Sequence, residues 1–411
     1  MSILWESRYA LRMERMTSSM IRELLKLTQR PEVISFAGGL PAAEYFPVNR
    51  FQDVCQRVLA DNAHFALQYG PTEGYPPLRE FIAERLSREN FCITADNVLI
   101  TSGSQQALSL IGALLINPGD KVLVEQPTYL GAVQAFSSYQ TGYIGVPTDD
   151  DGIRTDLLPD AMRQGPKFMY ILPNFQNPAG VTISYDRRVE LVRLSQEQGV
   201  PIVEDDPYGE LRYEGEHIRS LVAIDAELNT SSDDCYTGNV IYLGTFSKTL
   251  APGLRIAYVV APPEVISKLV QLKQAADLHT STFNQMVIYE VAKDGFIDEH
   301  VANLVDVYQK RRDAMLGALD RFMPPEVRWT HPQGGLFLWM HLPQGMSDRA
   351  LFEAAVERNV AFVPGGSFFT VPDPPPTARL NFSCVNEEHI IEGIQRLCEA
   401  YQEQARTLAA H

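Results

Sequence analysis

A lysine between two apolar, strand-like runs becomes chemically interesting when a hydroxyl and an arginine stand near it at fixed spacing. In this chain Lys248 lies between Val240–Leu243 and Ile256–Val260, with Thr245 three residues before it and Arg255 seven residues after it. Pro252 and Gly253 form a turn that can bring the guanidinium back beside the amine. A hydroxyl and a guanidinium together make a phosphate grip, because arginine takes phosphate through paired N–H donors. An amine beside such a grip suits a phosphorylated aldehyde, which points to pyridoxal phosphate. Any one of these residues is an ordinary loop residue on its own. Their spacing carries the reading.

The elements that must position Lys248 are written in the hydrophobic pattern. Apolar runs recur at Val98–Ile100, Lys121–Val124, Phe168–Leu172, Val200–Val203, Val240–Leu243 and Ile256–Val260, separated mostly by helix-like intervals such as 105–115 and 187–198. Apolar strands alternating with helices predict an α/β fold with a mostly parallel sheet covered on both faces. Ligands bind at the carboxyl ends of such strands, so the residues after each run matter most. After the first run, Thr101-Ser-Gly-Ser-Gln-Gln106 opens a helix whose N–H groups and dipole favour an anion. Gly103 permits close approach there, and Ser104 and Gln105 add side-chain donors; simple N-capping by Ser102 or Ser104 is compatible with the same reading.

The segment Thr245-Phe-Ser-Lys-Thr-Leu-Ala-Pro-Gly-Leu-Arg255 resembles the cofactor-lysine signature of the fold-type I, class I/II aminotransferases. The resemblance runs from about Ser19 to Ser383 and is nearest to the 2-aminoadipate aminotransferase branch, which includes broad-specificity aromatic and branched-chain enzymes. It implies a pyridoxal 5'-phosphate enzyme with a seven-stranded-type large domain over 46–302 and a smaller α+β domain built from 1–45 and 303–411. It also implies roles for particular residues. Tyr129 would stack on the pyridine ring. Asn177, in Asn177-Pro-Ala-Gly180, and Tyr208 would reach the ring's phenolic oxygen. In Glu204-Asp-Asp-Pro-Tyr208, Asp205 would pair with the ring nitrogen, with Asp206 as the second candidate. A carboxylate there keeps the ring protonated and electron-poor. Tyr69 would reach the phosphate of a neighbouring subunit, so a homodimer is expected. Arg379 would clamp the substrate α-carboxylate, Gly39 would lie over it, and Arg22 would pair with a distal carboxylate. No arginine occurs between Arg255 and Arg311, where aspartate-specific relatives carry a side-chain-binding one.

Composition narrows the classes. The 35 basic and 51 acidic side chains leave a net charge of −16, which argues against a nucleic-acid partner. Five cysteines, none in C-x-x-C spacing, indicate a reducing compartment with no disulfide framework and no metal site. No apolar run approaches the roughly 18 residues of a membrane span. The N-terminus lacks an apolar stretch and includes Glu6 and Glu14, so a cytoplasmic enzyme is expected. The expected reaction moves the amino group of an L-amino acid (2-aminoadipate, glutamate, leucine or an aromatic one) to a 2-oxo acid such as 2-oxoglutarate. A β-lyase or decarboxylase on the same scaffold, or a pyridoxal-phosphate-binding regulator, would share most of these residues.

Overall fold

Short apolar runs without polar alternation need cover on both faces. The computed structural model, which describes residues 3–16, 30–89, 91–229 and 235–409, provides it. In chain order the strands are β1 (Ile34–Ser35), β2 (Val98–Thr101), β3 (Lys121–Gln126), β4 (Gly142–Asp149), β5 (Gly152–Ile153), β6 (Met169–Ile171), β7 (Ile202–Asp205), β8 (Val240–Thr245), β9 (Ala257–Val260), β10 (Arg328–Trp329), β11 (Phe337–His341), β12 (Val360–Ala361), β13 (Val363–Pro364) and β14 (Thr377–Asn381). The main sheet has the order β2-β9-β8-β7-β6-β3-β4-β5. Strands β8, β7, β6, β3 and β4 are parallel. Strand β9 is antiparallel to both β8 and β2, so β2 points the same way as the parallel set. The carboxyl ends of β2, β3, β6, β7 and β8 therefore share one edge, and the reversed β9 begins there, just after Arg255.

Eight strands stand where seven were expected, because the two-residue β5 folds back on the end of β4. Strand β4 escaped the list of apolar runs. Its sequence, Gly-Tyr-Ile-Gly-Val-Pro-Thr-Asp, alternates buried with partly exposed positions, as suits a strand near the sheet margin.

The covering helices are α1 (Val48–Ala66), α2 (Pro76–Ser87), α3 (Ser104–Leu115), α4 (Leu130–Ser137), α5 (Leu158–Met162), α6 (Tyr185–Gln198), α7 (Leu221–Leu228), α8 (Pro263–Ala276) and α9 (Thr282–Ala292). Successive strand residues point to opposite faces. Leu99, Val203, Ile241 and Val259 pack with α3, α4 and α8. Val98, Ile202, Val240 and Val260 pack with α2, α6, α7 and α9. Each large apolar side chain buried this way contributes on the order of 1.5–3 kcal/mol.

A second core forms around the antiparallel sheet β10-β11-β14-β13, with α10 (Phe296–Phe322), α11 (Asp348–Glu357) and α12 (Glu387–Ala409) against it. Helix α10 runs unbroken past residue 302: Ile297 and Val301 join the first core, whereas Leu304, Tyr308, Met315 and Leu319 join the second. Strand β1 pairs in parallel with β12, which draws the early chain onto this second core.

Candidate functional site

The turn from β2 into α3 has the geometry that an anion cradle needs. Gly103 has φ +89°, and a side chain there would collide with the Arg255 guanidinium, so glycine alone fits. The backbone N–H groups of Gly103, Ser104 and Gln105 have no hydrogen-bond partner among the described residues, the state in which helix-start amides receive a phosphate. Arg255 sits in the left-handed region at φ +56°, and its side chain makes one hydrogen bond, from Nη1 to Pro252 O at 3.2 Å. Among the described residues no carboxylate pairs with it. Thr245 Oγ1 is held by Ser247, donating to its Oγ at 3.0 Å and accepting its N–H at 3.1 Å. Gln105 is arranged differently from the expectation of a free donor, because its Nε2 already donates to Gly131 O at 2.9 Å.

At the end of β7 the three adjacent acids separate by strand geometry. Glu204 accepts the N–H groups of Leu221 and Val222 at 2.8 and 2.9 Å and so caps α7. Asp206 accepts from Asn174 Nδ2 at 3.0 Å and Gly209 N at 2.9 Å. Asp205, pointing the other way, takes one hydrogen bond, from the Tyr170 hydroxyl at 2.6 Å. Burial pushes its carboxyl up to about 7, against the lowering effect of that hydrogen bond. This group would gain from a cation placed before it. The Tyr129 and Tyr208 hydroxyls are near enough to sense its charge, and burial raises both. Tyr129 ends the loop after β3 with its ring over Gly131. Tyr208 packs edge-on to Phe337 at 5.8 Å, and its hydroxyl meets Asn177.

Lys248 follows β8, and its Nζ donates to Gly39 O at 2.6 Å. Burial above all, with the Arg379 and Arg255 charges adding to it and Cys384 opposing, lowers the amine from its ordinary value to about 8. A neutral amine is the nucleophile. Attachment of pyridoxal phosphate to the ligand-free protein should therefore accelerate as pH rises through about 8 and level off above it. Stopped-flow absorbance measures this, and a rate that still climbs steeply above pH 10 contradicts the lowered amine.

Arg379 lies in the interior of β14 with 1% of its surface exposed. Nη1 donates to Asn177 Oδ1 at 2.9 Å and Nη2 to Ala37 O at 2.6 Å, while Nε is buried without a partner. Its guanidinium stands 4.3 Å from the Phe337 ring centre and 5.2 Å from that of Phe368. Desolvation pushes it down to about 10, against the influence of Tyr208 and Tyr129. A buried cation with an orphaned donor is costly unless an anion joins it.

Lys248, Asp205, Tyr208, Asn177, Tyr129, Arg255, Gly103 and Arg379 thus converge on one edge, with Gly39 above Lys248. A phosphate, a ring nitrogen and a carboxylate would each find a matching group here, so these residues fit pyridoxal phosphate with an amino acid beside it. Tyr69 stands apart, 75% exposed and edge-on to His279 at 5.8 Å. Arg22 lies outside the described residues. Sequence reasoning missed Tyr170, Phe337 and Phe368. Only Tyr170 left a signal, a hydroxyl within a buried strand run.

Among the described residues no cluster of His, Cys, Asp or Glu could hold a metal ion, and no helix is long and apolar enough to cross a membrane. The family profile of aminotransferase class I and II matches residues 43–397. The chain is 47% identical over 398 residues to aromatic-amino-acid aminotransferase 1 of Thermococcus litoralis, covering 95% of this chain and 93% of that one. It is 46% identical over 397 residues to 2-aminoadipate transaminase of Thermus thermophilus, covering 96% and 97%. The structure of the alpha-aminoadipate aminotransferase LysN from Thermus thermophilus, complexed with N-(5'-phosphopyridoxyl)-L-leucine, superposes with a TM-score of 0.91 at 43% identity, covering 98% of this chain and 100% of that one.

Proposed function

Because the chain belongs to the class I and II aminotransferases, it is an amino-group transferase, and we propose that it moves the amino group of 2-aminoadipate, glutamate, leucine or an aromatic amino acid to 2-oxoglutarate using pyridoxal phosphate. The observation that carries the reading is the Lys248 amine, held by Gly39 O at 2.6 Å, beside a buried Arg379 whose Nε has no partner and which no carboxylate meets among the described residues. Bound pyridoxal phosphate supplies an aldehyde carbon for the substrate's nitrogen and a ring that withdraws electrons from the substrate's Cα.

The chain's residues do the rest. Gly103, Ser104 and Gln105 offer amides to the phosphate, with Thr245 and Arg255 beside them. Asp205 holds the proton on the ring nitrogen by its charge, Tyr129 covers the ring, and Tyr208 and Asn177 donate to its phenolic oxygen. Arg379 takes the α-carboxylate as a two-pronged donor, which orients the Cα–H bond for Lys248. Lys248 then moves that proton as base and returns it as acid on the other side of the transfer. The product 2-oxo acid leaves before the second one binds.

We further take 46–302 as the large domain and 1–45 with 303–411 as the small one, the change of core along α10 supporting that division. A cytoplasmic homodimer is proposed, with Tyr69 of each copy reaching the other's phosphate. Exposed Leu67, Tyr69 and Phe65 form an apolar surface suited to a second copy. Gly39 and Arg22 complete the substrate side, Arg22 reading a distal carboxylate. A panel of amino acids with 2-oxoglutarate, run on the parent and Arg22→Ala, tests this. Acidic donors should lose at least about tenfold in kcat/KM, the worth of one charged contact, and leucine should be spared. Equal loss on both classes would remove Arg22 from specificity.

A further inference from the structure

Behind the anion cradle lies an ion pair, with Lys273 buried and Asp277 reaching solvent, that the transfer reaction does not use. Lys273 of α8 is fully buried, and its three N–H donors go to Asp277 Oδ1 at 2.7 Å, Asp277 Oδ2 at 2.9 Å and Gln106 Oε1 at 2.9 Å. The Gln106 amide is thereby pinned at both ends. Its Nε2 donates to Asp277 Oδ2 at 2.6 Å, and its Oε1 also accepts the backbone N–H of Ser102 at 2.8 Å. The Ser102 hydroxyl donates to the same Asp277 oxygen at 3.1 Å and meets Thr280 Oγ1 at 3.2 Å. Every contact this network makes with the turn ends on residue 102 or 106, its two flanks, and none on 103–105, whose amides stay free.

We propose that Lys273, Asp277 and Gln106 are positioning residues for phosphate: the ion pair locks the Gln106 amide against Ser102 and so holds the Gly103–Gln105 amides in the cradle. Packing alone explains neither the burial nor the choice of residues. An apolar residue in place of Lys273 would fill the buried space without desolvating an ammonium. It could not, however, fix the orientation of a side-chain amide, and a cradle is useful only if its donors are already aimed. A fixed amide also keeps the Ser102 N–H satisfied, so this amide does not compete for the anion.

The inference rests on the pyridoxal phosphate reading, and two ligands separate the two. Gln106→Met keeps the length and leaves the Lys273–Asp277 pair intact; Lys273→Met removes the pair as well. Binding of pyridoxal phosphate and of pyridoxal, which lacks the phosphate, is followed by absorbance on ligand-free protein. In Gln106→Met the dissociation constant for pyridoxal phosphate should rise about tenfold or more, as for one lost hydrogen bond near a charge. That for pyridoxal should stay within about twofold, with Lys273→Met at least as affected where it folds. A Gln106→Met protein that keeps the parent's ratio of the two constants, or loses both ligands equally, overturns the inference. A parent protein that takes up neither ligand would instead overturn the cofactor reading itself.

Discussion

Lys248→Ala protein should transfer amino groups at least about a thousandfold more slowly than the parent, while retaining a weaker, non-covalent hold on pyridoxal phosphate. A positioned acid–base group contributes on the order of 10²–10⁴ in rate, and Lys248 has two tasks, attachment and proton movement. The phosphate cradle and the Asp205 side of the site do not depend on the amine, so binding survives in part. Glutamate-driven formation of 2-oxo acid reads the first effect. Borohydride treatment followed by mass measurement reads the second: the parent should gain the cofactor's mass and the variant should not. Transfer within tenfold of the parent would mean that another group moves the proton, and Lys248 would be a tether only.

Arg379→Met should lower kcat/KM for amino acids by about a hundredfold or more, in line with the 2–5 kcal/mol lost when one member of a buried charge pair is truncated. The same change should leave the ligand-free protein's Tm close to the parent's. Two effects oppose each other there. Removing the cation relieves a desolvation penalty on the order of several kcal/mol for a group with no carboxylate among the described residues and an orphaned Nε. It also leaves Ala37 O and Asn177 Oδ1 without their donor, which costs about 1–3 kcal/mol each. A variant that loses Tm and activity together would identify Arg379 as a structural cation. The variant should also move the pH profile of cofactor attachment upward, because Arg379 is one of the charges that lower the Lys248 amine.

Asp205 makes the relation between strand geometry and chemistry concrete. Two acids close β7 and a third follows it, and only period-two alternation assigns them different work. Glu204 and Asp206 turn to one side and are consumed by N–H donors of α7 and Gly209 and by the Asn174 amide. Asp205 turns to the other, where its charge is sensed by Tyr129 and Tyr208. Its lone partner Tyr170 comes from the neighbouring β6, a pairing set by the parallel register in which Ile171 lies opposite Glu204.

The sequence by itself determined the sheet's apolar strands, the edge at which chemistry would collect, and the amine, cradle and acid motifs, because each is local: a period, a turn residue or a spacing within a dozen positions. It did not reveal β4, whose alternation and glycines hide a strand, nor that Arg379 is buried in the interior of β14 between two phenylalanine rings rather than along an edge. The tertiary structure decided which cation meets no counter-charge among the described residues, which acid keeps a single hydroxyl partner, and that a lysine on α8 grips a glutamine 167 residues earlier. Those outcomes depend on burial and on who stands opposite whom across distant segments. Desolvation and pairing are properties of the packed chain and have no signature in the order of its residues.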